Sequence, residues 1–85
     1  MRVVHYLNQF FGGIGSEDKA GLPLAEREQP VGPGLLLEQV LGKDYQIVKT
    51  LICGDNYAVE HQDDLIASVL KIVRLAEAEL FVAGP

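Results

Sequence analysis

Eighty-five residues, 48% hydrophobic and 22% charged with a net charge of −5, describe one ordinary globular unit and exclude a disordered chain. Acidic and basic residues are interspersed, which excludes the clustered positive footprint expected for nucleic acid or an anionic membrane. A single cysteine excludes an internal disulfide and fits a reducing, cytoplasmic setting, and no apolar run reaches the roughly 18 residues of a membrane span.

In chain order, Val3 to Phe11 predicts a first strand, rich in β-branched and aromatic residues and stopped at Gly12-Gly13. The preceding MRVVHYLNQFF pattern is broken by His5, Asn8 and Gln9 and does not read as a secretory h-region. Residues 12–31 predict a long irregular loop. Pro23 and Pro30 argue against a continuous helix there, with Leu24 to Glu28 able to make one helical turn. Gly32-Pro33-Gly34 opens a helix that continues as LLLEQVL and closes at Gly42. Tyr45 to Cys53 predicts a second strand, ended by the turn residues Gly54-Asp55-Asn56. A second helix is expected from about Glu60 to Glu77. Leu65, Ile66, Val69, Leu70, Val73 and Ala76 recur at three and four to give one wide buried stripe. Leu80 to Ala83 predicts a third strand, stopped at Gly84-Pro85.

The order β-α-β-α-β predicts an α/β fold: a three-stranded parallel sheet with helices on its faces, forming one partial domain over residues 1–85. Three strands and two helices are thin for independent stability, so the unit is expected to open a larger doubly wound domain and to need further chain, a partner or self-association.

Parallel strands put their C-terminal ends on one edge, where open α/β sheets bind ligands. That edge gathers Asn8, Gly12, Gly13 and Gly15 with Gly54, Asp55 and Asn56, and Gly34 opens the first helix nearby. These eight residues are the candidate substrate- or interface-lining set. A dinucleotide fingerprint fails at the first loop. Asp18 stands where the third glycine belongs, Glu17 and Asp18 repel phosphate, and no helix follows at once. The glycines serve instead as turn formers or as backbone that approaches a ligand or a neighbouring chain closely. Free amides at Gly32-Pro33-Gly34 offer an anion site, with ordinary capping the simpler reading. Cys53 lacks a base and neighbours Asp55, so it reads as a buried small hydrophobe and no catalytic residue is assigned. His5 lies mid-strand away from the glycine edge and reads as packed, His61 as exposed, and no metal-ligand spacing is present.

Four ordered blocks carry a resemblance that covers the whole chain: Arg2 to Gly15 with Glu17, Lys19 and Ala20; Val31 to Gly34; Ile52 to Tyr57; and Val82 to Pro85. Together they resemble the N-terminal segment of the selenoprotein B subunits of glycine, sarcosine, betaine and D-proline reductases. The resemblance implies part of an oxidoreductase that reductively cleaves the C–N bond of an amino-acid-type substrate. It implies a selenocysteine or cysteine nucleophile further along the subunit, a pyruvoyl group on a companion subunit, and a small selenoprotein A as partner. No residue here matches the nucleophile, and Cys53 is not given that role. The competing readings are a non-catalytic α/β binding or assembly module and, behind it, a small nucleotide-binding domain.

Overall fold

Val3, Val4 and Leu7 expose no surface and His5 exposes 1%, because the strand they form is paired along both edges and covered on both faces. That strand is β1 (Arg2–Asn8). It is followed by β2 (Ala25–Arg27), α1 (Pro33–Leu41), β3 (Gln46–Cys53), α2 (Asp55–Glu60), α3 (Gln62–Leu75) and β4 (Leu80–Ala83), with one 3-10 turn at Glu17–Lys19. The computed structural model describes residues 1–84; the second half of the predicted Gly84-Pro85 stop, Pro85, lies outside the described residues.

The sheet order is β2-β3-β1-β4. β1 runs parallel to β3, with His5 opposite Thr50 and Asn8 opposite Cys53, and parallel to β4, with His5 opposite Val82. A strand enclosed in this way carries apolar residues on both faces, which is why RVVHYLN shows no period-two alternation. The expectation of a three-stranded parallel sheet is corrected. A fourth strand, β2, pairs antiparallel with β3 and makes the sheet mixed. It occupies the stretch expected to make a helical turn. Ala25 to Arg27 have weak strand propensity, and the exposed edge of β3 supplies the missing hydrogen-bond partners. Lys49 on β3 fastens the segment through ion pairs to Glu26 at 3.0 Å and Glu28 at 3.6 Å, and the Thr50 hydroxyl donates to the Gln29 carbonyl at 2.8 Å.

The helices cover opposite faces. On one, Val4, Leu51 and Ala76 form a buried cluster joined by Val69, Ile72 and Val73 of α3. On the other, Gly34 of α1 lies against the His5 ring and the Ile47 side chain. α1 matches its expected extent. The helix expected over Glu60 to Glu77 is two helices, broken at His61 where φ is −128° and ψ is 41°. α2 begins five residues earlier than expected because the Ala20 carbonyl accepts the amides of Asn56 and Tyr57, a cap supplied by a distant loop. The expected buried stripe is only partly covered as well: Ile66 is 57% exposed and Leu70 49%.

α3 ends in a Schellman motif, in which the amide of Glu77 donates to the Arg74 carbonyl and that of Ala78 to the Val73 carbonyl. Glycine normally fills the left-handed position of this motif, yet Glu77 holds it with φ of +53°. The sequence therefore showed no stop signal there. Left-handed backbone costs a side-chain-bearing residue about 1–2 kcal/mol. Glu77→Gly should raise the free energy of unfolding by about 1 kcal/mol, read as a higher urea midpoint at unchanged slope. An unchanged or lower midpoint would contradict the assigned motif.

Candidate functional site

β1 and β3 end side by side at Asn8 and Cys53, and the chain beyond each strand turns across the same rim. β4 ends there as well, the Gly84 amide donating to the Tyr6 carbonyl at 2.8 Å. The first crossover leaves β1 toward β3 and the second returns to the opposite side of β1, so the strand order reverses between β1 and β4. In open α/β sheets, a crevice at such a reversal is where ligands bind.

Polar side chains converge at this rim on one carboxylate. Asp55 Oδ2 accepts the Asn8 side-chain amide at 3.2 Å and the Gln9 side-chain amide at 3.4 Å. Gln9 also accepts the Asp55 backbone amide through Oε1 at 3.0 Å, and Asn8 Oδ1 accepts the Phe11 amide at 2.9 Å. Gln9 is only 4% exposed, whereas Asp55 is exposed. A buried amide thus grips the backbone and side chain of an exposed carboxylate, which keeps acceptor capacity free for a cation or a hydrogen-bond donor. Gln9 is absent from the expected set, whereas its neighbour Asn8 is in it. β1 ends at Asn8, and the polar pair Asn8-Gln9 breaking an apolar run was the available signal.

The remaining expected residues divide by location. Gly12 is buried beside the rim, its amide on the Asn8 carbonyl at 2.9 Å, and a Cβ there would meet the Ile52 side chain at 2.6 Å. Gly13 has φ of +74° with open space around it. Gly15 stands beside the Lys19 side chain, further along the loop. Gly54 is closely packed, since a Cβ would press into the backbone of Ala20, and its amide donates to the Leu22 carbonyl at 2.9 Å. Asn56 is exposed in the first turn of α2. Gly34 stands apart from this group, buried in the first turn of α1 against His5. His5 is packed as expected, but it is not remote from the rim: its Nε2 donates to the Gly84 carbonyl at 2.8 Å, because β4 pairs beside it.

Anion binding finds little support in the helix starts. At α1 the amides of Gly34 and Leu35 already donate to the carbonyls of Val31 and Gly32, so the free amides expected there are spent. At α2 the Ala20 carbonyl takes the amides of Asn56 and Tyr57. The first loop enters the short 3-10 turn at Glu17–Lys19 and no phosphate-binding helix. Cys53 is fully buried, and burial, with Asp55 adding to it, pushes its thiol upward despite the opposing Tyr6 hydroxyl. Tyr6 is itself raised, chiefly by burial and then by Cys53. Neither group fits a nucleophile or base at neutral pH. A cleft of about 890 Å³ lies away from the rim between α3 and the β2–β3 pair, where Lys49 is already matched by Glu26 and Glu28. Among the described residues no group of three or more His, Cys, Asp or Glu could hold a metal, and no helix is long and apolar enough to cross a membrane.

Fold and rim together define an α/β unit whose strand-end rim presents a gripped carboxylate and, among the described residues, no activated nucleophile. The chain belongs to the glycine/sarcosine/betaine reductase selenoprotein B family, whose model matches residues 1–85. It is 51% identical over all 85 residues to the glycine reductase complex component B subunit gamma of Symbiobacterium thermophilum, and the match covers 20% of that protein. It is 45% identical over its full length to the sarcosine reductase complex component B subunit beta of Peptoclostridium acidaminophilum, covering 20% of it. The betaine reductase complex component B subunit beta of the same organism is 34% identical over 84 residues, 99% of this chain and 19% of the relative. The chain thus spans about a fifth of the length of the curated relatives it matches. No solved structure matches it.

Cys53 and Tyr6 both hold their protons more tightly in the folded chain than they would unfolded, where thiols and phenols titrate near 8.5 and 10. Their contribution to stability is complete below about pH 8.5 and is lost as pH rises past it. The unfolding free energy should be flat from pH 7 to 8 and fall toward pH 10.5, and the folded thiol should react with a disulfide reagent at least about tenfold more slowly than in denaturant. Rapid labelling of the folded chain at pH 8 would contradict this environment. Gln9→Leu, which orphans the Asp55 amide, should cost about 1–3 kcal/mol in the same denaturation assay.

Proposed function

We propose that this chain forms the N-terminal, non-nucleophile portion of a reductase-complex B subunit, in which its sheet rim lines the substrate or a subunit interface. The subunit takes part in reductive cleavage of the C–N bond of a small amino-acid-type substrate such as glycine, sarcosine or betaine, in the cytoplasm. The selenocysteine or cysteine that attacks carbon is supplied from outside these residues. Cys53, buried and raised, does not fit that role, so no step is assigned to it. The pyruvoyl group belongs to a companion subunit, and a small selenoprotein A takes up the product.

The observation that carries this reading is the Asp55 carboxylate, exposed on the rim and held by Asn8 and Gln9. A fixed carboxylate beside a strand-order reversal suits a substrate that bears nitrogen as an amine or ammonium group, and Glu17 and Asp18 in the first loop favour the same sign of charge. Substrate held in this way is oriented before it meets the nucleophile, and misplacement by about 1 Å can cost roughly a hundredfold in rate.

The test uses a full-length B subunit carrying Asp55→Asn, assembled with its partner subunits. The change keeps the side chain's shape and removes its charge. The unfolding midpoint and assembly should stay unchanged while kcat/KM falls at least about tenfold, a loss of roughly 1.4 kcal/mol in transition-state stabilisation. Full turnover by this variant would remove Asp55 from the site.

A further inference from the structure

The two edges of the sheet are finished differently. β2 closes one edge with three residues, and its flank is charged: Glu26 and Glu28 face Lys49 through ion pairs. Short, charged edge strands resist further pairing. β4 leaves the other edge open, and apolar side chains flank it on both faces. On the α3 side stand Phe81, Ile66 and Leu70, 42%, 57% and 49% exposed, bordering a groove of about 460 Å³. On the α1 side Leu36 and Val40, 65% and 74% exposed, border a second groove that includes Val82. Isolated exposed apolar residues need no explanation, but two groups flanking the one free edge of β4 mark a surface built to be covered.

We propose that β4 is the strand against which the rest of the B subunit docks: a further strand, apolar on both faces, pairs with β4 while its flanking segments fill the two grooves. The proposal rests on the reading of this chain as part of a longer subunit. The family match covers 20% of the relatives' length, which leaves about four-fifths of such a subunit to supply the occupant. A strand buried between helices carries apolar residues on both faces, the pattern of β1 and the one that two apolar flanks require. The charged β2 edge directs this growth to one side only. Docking there also borders the rim where the strand order reverses between β1 and β4.

The experiment co-expresses the 85-residue chain with the remaining four-fifths of the Symbiobacterium thermophilum glycine reductase component B subunit gamma. A one-to-one complex by sedimentation is expected, with amide exchange of Phe81, Val82 and Ala83 slowed on binding. Phe81→Lys and Val40→Lys, both at exposed positions, should each weaken association at least about tenfold, and Glu26→Gln on the opposite edge should leave it unchanged. A complex that forms normally with both lysine variants and leaves β4 exchange unaltered overturns the docking surface while the reading as a subunit portion stands. No complex at all, when circular dichroism shows both pieces folded, overturns both. Self-association of the 85-residue chain that the lysine variants abolish assigns the surface to a second copy and overturns the proposed occupant.

Discussion

The parallel pairing of β1 with a neighbour on each side is the constraint from which the remaining features follow. It places Val3, Val4, His5 and Leu7 out of contact with water, and it forces the two crossovers onto opposite faces of the sheet. It also brings the ends of β1, β3 and β4 to a single rim. Burial contributes about 25 cal/mol per Å² of apolar surface removed from water, so a strand enclosed on all sides is the economical place to concentrate apolar residues in a chain this small. With that strand central, Asn8 and Gln9 emerge at its end beside Asp55, and the polar cluster follows from the register.

Elements whose signal is local were legible in the sequence. Pro33 at a first helical position and Gly42 after the last one bounded α1, and the apolar runs bounded by glycines located β1, β3 and β4. Elements that depend on a distant partner were not. β2 owes its conformation to the free edge of β3, and α2 owes its start to the Ala20 carbonyl, thirty-five residues before Asp55 in the chain. The end of α3 falls within two residues of the expected one, although Glu77 occupies a position that glycine would have announced. The rim was foreseeable from strand order and its aspartate from the turn residues. The buried glutamine that holds the aspartate left no local signal of that contact, because it spans 46 residues of sequence.

The glycines that first invite a phosphate reading have a more local explanation. Gly12 and Gly54 are small because Ile52 and the Ala20 backbone occupy the space a side chain would need. Close approach here is between parts of the same chain, and it compresses the loop of residues 12–31 against the end of β3. The tight packing from within holds Asp55 at a defined position on the rim.

Ala20 is the residue through which this arrangement acquires cooperativity. Its carbonyl receives the amides of Asn56 and Tyr57, and two residues later the Leu22 carbonyl receives that of Gly54. Three hydrogen bonds thus couple an otherwise irregular excursion to the helix that carries Asp55. Fraying of either partner breaks hydrogen bonds of the other, so the irregular excursion is tied to the helix and the long loop serves as scaffold.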